Sequence, residues 1–126
     1  MNKIKTLITG SGCYIPEFVK TNRDFAGHNF FAEDNTALDI EPHLIVEKFK
    51  KITGIEERRY APSSMDSSDM AAIAAQKAIE DAGCDAETID QIIVAHNFGN
   101  VQKHTIQTDV LPALASRVKH ALKIKN

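Results

Sequence analysis

The stretch that most constrains the fold of this chain runs from Ile52 to Ala61, with the sequence ITGIEERRYA. Ile45, Phe49 and Ile52 recur at the spacing of one helix face. Gly54 stands just past the last of them, where a left-handed residue ends a helix. The stretch therefore predicts a helix end, a glycine turn and the start of a charged segment.

This boundary predicts an element on either side of it. Pro42 suits a first helical position, which predicts a helix from Pro42 to about Thr53. After the glycine, the sequence from Glu57 to Ala61 predicts a strand. The two glutamates and two arginines that begin at Glu56 favour a salt-bridged surface there.

A second helix is predicted from a capping position at Asp66 or Ser67 to Gly83. Alanine dominates this helix, at positions 71, 72, 74, 75 and 78. Because small side chains let other backbone segments approach closely, we expect this helix to lie in the centre of the fold.

Two apolar segments predict strands, and the end of the chain predicts a third helix. Ile4 to Thr9 is β-branched and runs into the turn GSGCYIP. Gln91 to His96 is apolar on both faces, which is typical of a strand in a parallel sheet. A final amphipathic helix begins near Pro112. Its apolar stripe comprises Leu111, Leu114, Ala115, Val118 and Leu122. The order of elements predicts an α/β layered fold with a mixed or parallel sheet.

The segment from Val19 to Ile40 has no regular spacing of apolar residues, which predicts a loop with a short helical piece from Arg23 to Ala26. Its phenylalanines, at positions 25, 30 and 31, are too apolar for a free linker. We expect them to pack on the core or on a partner subunit.

Composition is that of an ordinary globular domain or a piece of one: 126 residues, 43% hydrophobic and 25% charged. No apolar run approaches the about 20 residues of a membrane span, and the N-terminus lacks a signal-peptide core, which predicts a cytoplasmic protein. A net charge of −2 offers no broad attraction to nucleic acid. The basic tail from Arg117 to Lys125 has no interleaved aromatic residues, which favours a solvated helix face.

Few residues in the chain have the patterns that carry chemistry. Cys13 and Cys84 lack CxxC pairing and are predicted to be buried free thiols. His96 is the best placed histidine, at the carboxyl end of a predicted strand, although a structural role is more common there. His104 and Asp109 lie in a polar loop that either lines a cleft or is solvated. No histidine has the spacing of metal ligands, so no metal site is predicted. The sequence likewise predicts no cofactor and no complete catalytic set.

Six segments follow one another in a specific order: GSGCYIP, VKTNRDF, ITGIEERRYA, DMAAIAAQKAIEDAG, DQIIVAHN and LPALASRVKHALKIKN. Together they resemble the N-terminal part of 3-oxoacyl-acyl-carrier-protein synthase III, a thiolase-like condensing enzyme. The resemblance covers essentially the whole chain. It implies that residues 1–126 are the N-terminal portion of a thiolase-like domain.

The resemblance implies an acyltransferase that moves an acyl group from coenzyme A to a cysteine and condenses it with malonyl-acyl-carrier protein, in fatty-acid or related lipid biosynthesis. It also implies a homodimer. The family's catalytic Cys, His and Asn would lie beyond Asn126. Cys13 and Cys84 are therefore not the nucleophile, and the chain alone is expected to be inactive in condensation.

Two further expectations concern substrate contacts. Where many members hold the adenine of coenzyme A with an aromatic residue and an arginine, this chain has Lys48 and Ile52, which leaves acyl-CoA and an acyl-carrier protein both open as the acyl donor. Leu111 matches a position that in the family reaches across the dimer toward the partner's acyl pocket, where a leucine would shape chain length. Ordinary helix packing is the alternative for Leu111.

A stand-alone, non-catalytic dimerisation or binding module derived from the same fold is the alternative function. The resemblance also implies that the helix face of Leu114, Val118 and Leu122 lacks its usual cover in this chain. Because uncovered apolar surface is costly, we expect the isolated chain to self-associate or to be only marginally stable.

Overall fold

A computed structural model of the protein describes residues 5–102, 105–109 and 111–126. They divide into two compact units, one of residues 16–61 and the other of residues 62–126 together with the chain up to Ile15. The described residues form three α-helices and two small antiparallel sheets. None of these helices is both long and apolar enough to cross a lipid bilayer.

The unit of residues 16–61 contains one sheet and one helix. Strand β1 (Phe18–Thr21) pairs antiparallel with strand β2 (Glu57–Tyr60). Helix α1 (Pro42–Thr53) precedes β2 and ends at Gly54, whose φ of 70° is left-handed. The predicted helix and its glycine cap are confirmed, and the predicted strand is confirmed to within one residue.

The charged surface of this unit is also confirmed. The ammonium of Lys50 lies 2.7 Å from the carboxylate of Glu56, and Arg59 lies 3.0 Å from Glu57. The hydrogen bond from Lys50 holds the pKa of the Glu56 carboxyl below its usual value. All four side chains are well exposed, so these pairs contribute little to stability.

The predicted short helical piece is a 3-10 turn at Asn22–Phe25. Phe25 packs within the unit, with its ring centroid 5.5 Å from that of His28 and 5.4 Å from the guanidinium carbon of Arg58. The rings of Phe30 and Phe49 meet edge to face at 6.0 Å. Two of the three phenylalanines therefore pack on the unit itself, whereas Phe31 is exposed.

The other unit is built on helix α2 (Ser67–Ala82), whose predicted bounds are confirmed. The Asp66 carboxylate accepts hydrogen bonds from the first-turn amides of Ser68 and Asp69, and Gly83 ends the helix with a φ of 61°. The helix is followed by a two-stranded hairpin and a shorter helix. These are β3 (Asn100–Val101), β4 (Thr108–Asp109) and α3 (Leu114–Ala121).

Helix α3 packs on α2. Leu114 and Val118 are buried, and so is Ile124 just after the helix, while Leu122 is half-buried. The expectation that this stripe lacks cover is therefore wrong. The physical reason is that the alanines of α2 leave room for a second helix within the same chain.

The segment that contains Gly10 and Gly12 lies directly against the backbone of α2. A Cβ atom at Gly12 would stand 2.3 Å from the carbonyl oxygen of Ala74, and one at Gly10 would stand 2.5 Å from that of Ala78. The amide of Ser11 donates to the carboxylate of Asp81 at 2.9 Å. The close backbone approach predicted for the alanine-rich helix is confirmed at this face.

The predicted parallel sheet is not formed by the described residues. Residues 5–9 and 91–96 belong to no helix or strand, and both sheets that do form are antiparallel. Of the first predicted strand, Ile4 lies outside the described residues. A β-branched sequence favours a strand only when neighbouring strands pair with it, and no described strand pairs with either segment.

The two thiols are free and exposed, so the prediction that they are buried is wrong. Cys13 directly follows Gly12, and its backbone carbonyl accepts a hydrogen bond from Lys77 at 3.1 Å. Cys84 directly follows the residue that ends α2. Both residues lie outside the helices and strands, where no neighbouring element covers the thiols.

We predict that Gly12→Ala destabilises the protein by about 1–3 kcal/mol, because the new methyl group has no space against α2. Gly27→Ala is the control, since a Cβ at Gly27 meets nothing within 4 Å. Urea denaturation followed by circular dichroism measures both. Equal midpoints for the two variants would contradict the close contact.

Candidate functional site

The polar loop that follows residue 96 forms a hairpin tied to the start of α2. Asn100 pairs with Asp109 across the hairpin and is only 2% exposed. Its side-chain amide donates to the Asp66 carboxylate at 3.0 Å, and its Oδ1 accepts from the backbone amide of Ser68 at 3.0 Å. Both hydrogen-bonding groups of this buried side chain are thus satisfied, and the hairpin is fixed in place.

Asp109 stands at the centre of a second set of polar contacts. Nη2 of Arg117 lies 2.6 Å from Oδ2 of Asp109, and the amide of Gln102 donates to the other carboxylate oxygen. The side chains of Arg117 and Asp109 are 27% and 20% exposed. The prediction that Arg117 belongs to a solvated helix face is therefore wrong, because the residue points into a partly buried ion pair.

Leu111 lies in the chain between Asp109 and α3, outside the helix that begins at Leu114. Its side chain is 81% exposed. It therefore makes little use of helix packing within this chain, and its surface is available to another molecule. Its predicted contact with an acyl pocket stays a prediction.

The structure gives His96 a structural role and not a chemical one. Nδ1 of His96 accepts a hydrogen bond from the amide of Gly99 at 2.8 Å and so closes a turn, which is the structural role considered for it. A cleft of about 240 Å³ lies beside it, lined by Phe98, Asn100, Thr108, Asp109 and Leu114. His104 lies outside the described residues. The polar loop thus lines a small cleft rather than being only solvated.

A larger cleft, of about 510 Å³, lies within residues 16–61. Its charged lining comprises Arg23, Glu47, Lys50, Glu56 and Glu57. Since Lys50 is already paired with Glu56, this lining offers no excess of positive charge to a phosphate-rich ligand. Lys48 and Ile52 are exposed on α1 and do not line the cleft.

The described residues contain no group of three or more histidine, cysteine, aspartate or glutamate side chains that could hold a metal ion. The polar contacts around Asn100 and Asp109 are hydrogen bonds and an ion pair that fix the hairpin. Their arrangement positions backbone and side chains and supplies no nucleophile with an adjacent base.

No local sequence pattern indicates the role of Arg117. It follows Asp109 by eight residues, and only the fold brings the two side chains together. Asn100 was recognisable only as one polar residue in a loop. A buried asparagine bonded across 34 residues to Asp66 has no sequence pattern that reveals it.

We predict that Asn100→Ala lowers the free energy of unfolding by about 1–3 kcal/mol, because it removes partners from polar groups at the start of α2. Asn97→Ala, at an exposed position of the same loop, is the matched control. Thermal unfolding monitored by circular dichroism compares them. Indistinguishable melting curves would show that Asn100 does not anchor the hairpin.

Comparison with known proteins gives a consistent set of relatives, although no family model matches the chain. A beta-ketoacyl-[acyl-carrier-protein] synthase III of Halalkalibacterium halodurans is 38% identical over 93% of this chain and 33% of its own length. One from Bradyrhizobium diazoefficiens is 34% identical over 100% of this chain and 32% of its own length. One from Geobacillus kaustophilus is 42% identical over 70% of this chain. The chain thus spans about a third of the length of the curated relatives it matches.

Proposed function

We propose that this chain, which belongs to the beta-ketoacyl-[acyl-carrier-protein] synthase III family, is the N-terminal piece of an acyltransferase. The whole enzyme would condense an acyl primer, carried by coenzyme A or by an acyl-carrier protein, with malonyl-acyl-carrier protein in fatty-acid or related lipid biosynthesis. As part of the same proposal, the enzyme is a cytoplasmic homodimer with a thiolase-like fold.

The proposal rests on the sequence similarity to these synthases, which extends along the chain. It is supported by apolar side chains that are exposed to solvent in this chain. Leu7, Ile8 and Ile93 are 82%, 86% and 80% exposed, and they lie in the two segments predicted as strands. Apolar β-branched segments of this kind are normally buried on both faces of a parallel sheet. A longer synthase would supply the neighbouring strands and the covering helices.

The chemistry of condensation requires catalytic groups that we do not assign to this chain. A thiolate must attack the carbonyl carbon of the acyl thioester, so that the donor's thiol leaves and an acyl-enzyme forms. The malonyl group then loses carbon dioxide, and the resulting carbanion attacks the acyl carbon, which frees the enzyme thiol. Hydrogen-bond donors must stabilise the oxyanions of both steps. We assign neither Cys13 nor Cys84 to this role, because neither stands at the position of the family's nucleophile, which the resemblance places after Asn126.

We predict that the 126-residue chain acquires no covalent acyl group on incubation with acetyl-CoA or octanoyl-CoA. The protein expressed from the complete natural gene should acquire one when the same primers are offered on coenzyme A or on a carrier protein, and should still acquire it in the Cys13→Ser and Cys84→Ser variants. Intact mass spectrometry detects the adduct. An acyl adduct on the 126-residue chain that disappears in either serine variant would overturn the assignment.

The exposed apolar side chains also fit a second function, that of a non-catalytic module that dimerises or binds a partner. In the unit that contains α2, Phe98 and Ile106 are exposed in addition to Leu111 and Ile93. Sedimentation equilibrium distinguishes the two accounts when it is combined with the acylation assay. A stable dimer from a natural gene product that takes up no acyl group would favour the binding module.

A further inference from the structure

Residues 30–38 fold back on themselves as a small hairpin that is anchored on α1. An antiparallel bridge joins Phe31 to Ala37. The backbone amide of Leu38 donates to the carbonyl oxygen of Phe30 at 2.8 Å. The ring of Phe30 also meets the ring of Phe49 edge to face, with their centroids 6.0 Å apart. This aromatic contact fixes the small hairpin on the helix.

The turn of this small hairpin is held by its own hydrogen bonds. The carboxylate of Asp34 accepts from the hydroxyl of Thr36 at 2.6 Å and from its amide at 3.0 Å, and these bonds hold the pKa of Asp34 below its usual value. The amide of Ala32 donates to the carbonyl oxygen of Thr36 at 2.8 Å, and Asn35 is left-handed with a φ of 63°. The turn therefore has a fixed shape before any contact, which lowers the entropic cost of binding.

Phe31 lies on the side of the small hairpin that faces away from α1. Successive side chains of a paired extended chain point to opposite sides, and Phe30 occupies the side that meets the helix. Phe31 is 59% exposed, and Ile40 is 52% exposed. Three residues span at most about 11 Å, so Ile40 lies close to the bridge at Ala37. One short segment of a partner could therefore contact both exposed apolar side chains.

The charges around these apolar side chains are all negative. Glu33, Asp39 and Glu41 are exposed, and none of them forms an ion pair within the part of the chain that the structure describes. No lysine or arginine occurs in the sequence between Arg23 and Lys48. A cover of apolar core would bury these carboxylates without partners, at a high cost in free energy. The face is therefore suited to a partner that supplies cations.

The Phe31 surface is defined here as the exposed side chains of Phe31, Glu33, Asp39, Ile40 and Glu41. We propose that the Phe31 surface binds a basic amphipathic segment of another protein. Lysine or arginine side chains of that segment pair with the carboxylates, and an apolar side chain covers Phe31. Aromatic side chains often contribute most of the affinity of an interface, whereas charges at its rim set the specificity and the rate of association. The proposal is independent of acyl transfer, because no residue of this surface is assigned to that reaction.

The first test measures how a synthetic amphipathic helix of lysine and leucine binds to the protein expressed from the complete natural gene. Isothermal titration calorimetry should detect binding. The affinity should fall about tenfold when the ionic strength rises from about 0.01 M to about 1 M, because the Debye length shrinks from about 30 Å to about 3 Å. A helix of glutamate and leucine of the same length is the control and should not bind. Equal affinity for the two peptides would overturn the proposal.

The second test locates the binding site with variants. Phe31→Ser should weaken binding of the lysine peptide about tenfold, because it removes the apolar contact and leaves the charges in place. The double variant Glu33→Gln and Asp39→Asn should weaken binding and also reduce its dependence on salt. Ile52→Ser and Glu17→Gln are the matched controls and should bind as the wild type does. Ile52 is 70% exposed at the other end of α1, and Glu17 is exposed outside the small hairpin.

Three further results would each overturn the proposal. Wild-type affinity in Phe31→Ser would show that the peptide binds elsewhere. Protection of Phe31 from hydroxyl-radical labelling in the free protein would show that the remainder of a longer chain covers it. A dimer in sedimentation equilibrium that dissociates in Phe31→Ser would assign the Phe31 surface to a second copy of the protein.

Discussion

The contact between the glycine segment and α2 is the constraint on which the larger unit depends. Gly10 and Gly12 lie so close to the helix backbone that a Cβ at either would overlap the carbonyl oxygen of Ala78 or Ala74. The same helix also carries α3 and, through the cap at Asp66, the hairpin that begins at Asn100. Small side chains on α2 make room for the glycine segment and for α3. The hairpin is held instead by the polar contacts of Asn100 at the start of the helix.

Features that depend on neighbouring residues in the chain were predictable. The ends of α1 and α2 follow from Pro42, Gly54, Asp66 and Gly83, whose effects act within one helical turn. The ion pair between Arg59 and Glu57 follows from the run of glutamates and arginines that begins at Glu56. In such cases the side chain and the backbone group that it satisfies are only a few residues apart.

Features that depend on distant partners were not predictable. The segments at 5–9 and 91–96 have strand composition, yet a strand needs a partner, and none of the described strands pairs with them. The apolar stripe of α3 is covered because α2 lies against it, which the stripe itself cannot indicate. Arg117 was misassigned to solvent for the same reason, since its partner is Asp109 and not a residue of its own helix turn.

We propose that residues 91–96 form a strand once the rest of a synthase covers Ile93, and one measurement tests this directly. Amide hydrogen exchange on the protein expressed from the complete natural gene compares these residues with α2. The account predicts that their amides exchange as slowly as those of the helix, as expected for a paired and covered strand. Exchange at the rate of an unstructured peptide would contradict it, because the exposed segment would then belong to the native state of the whole protein.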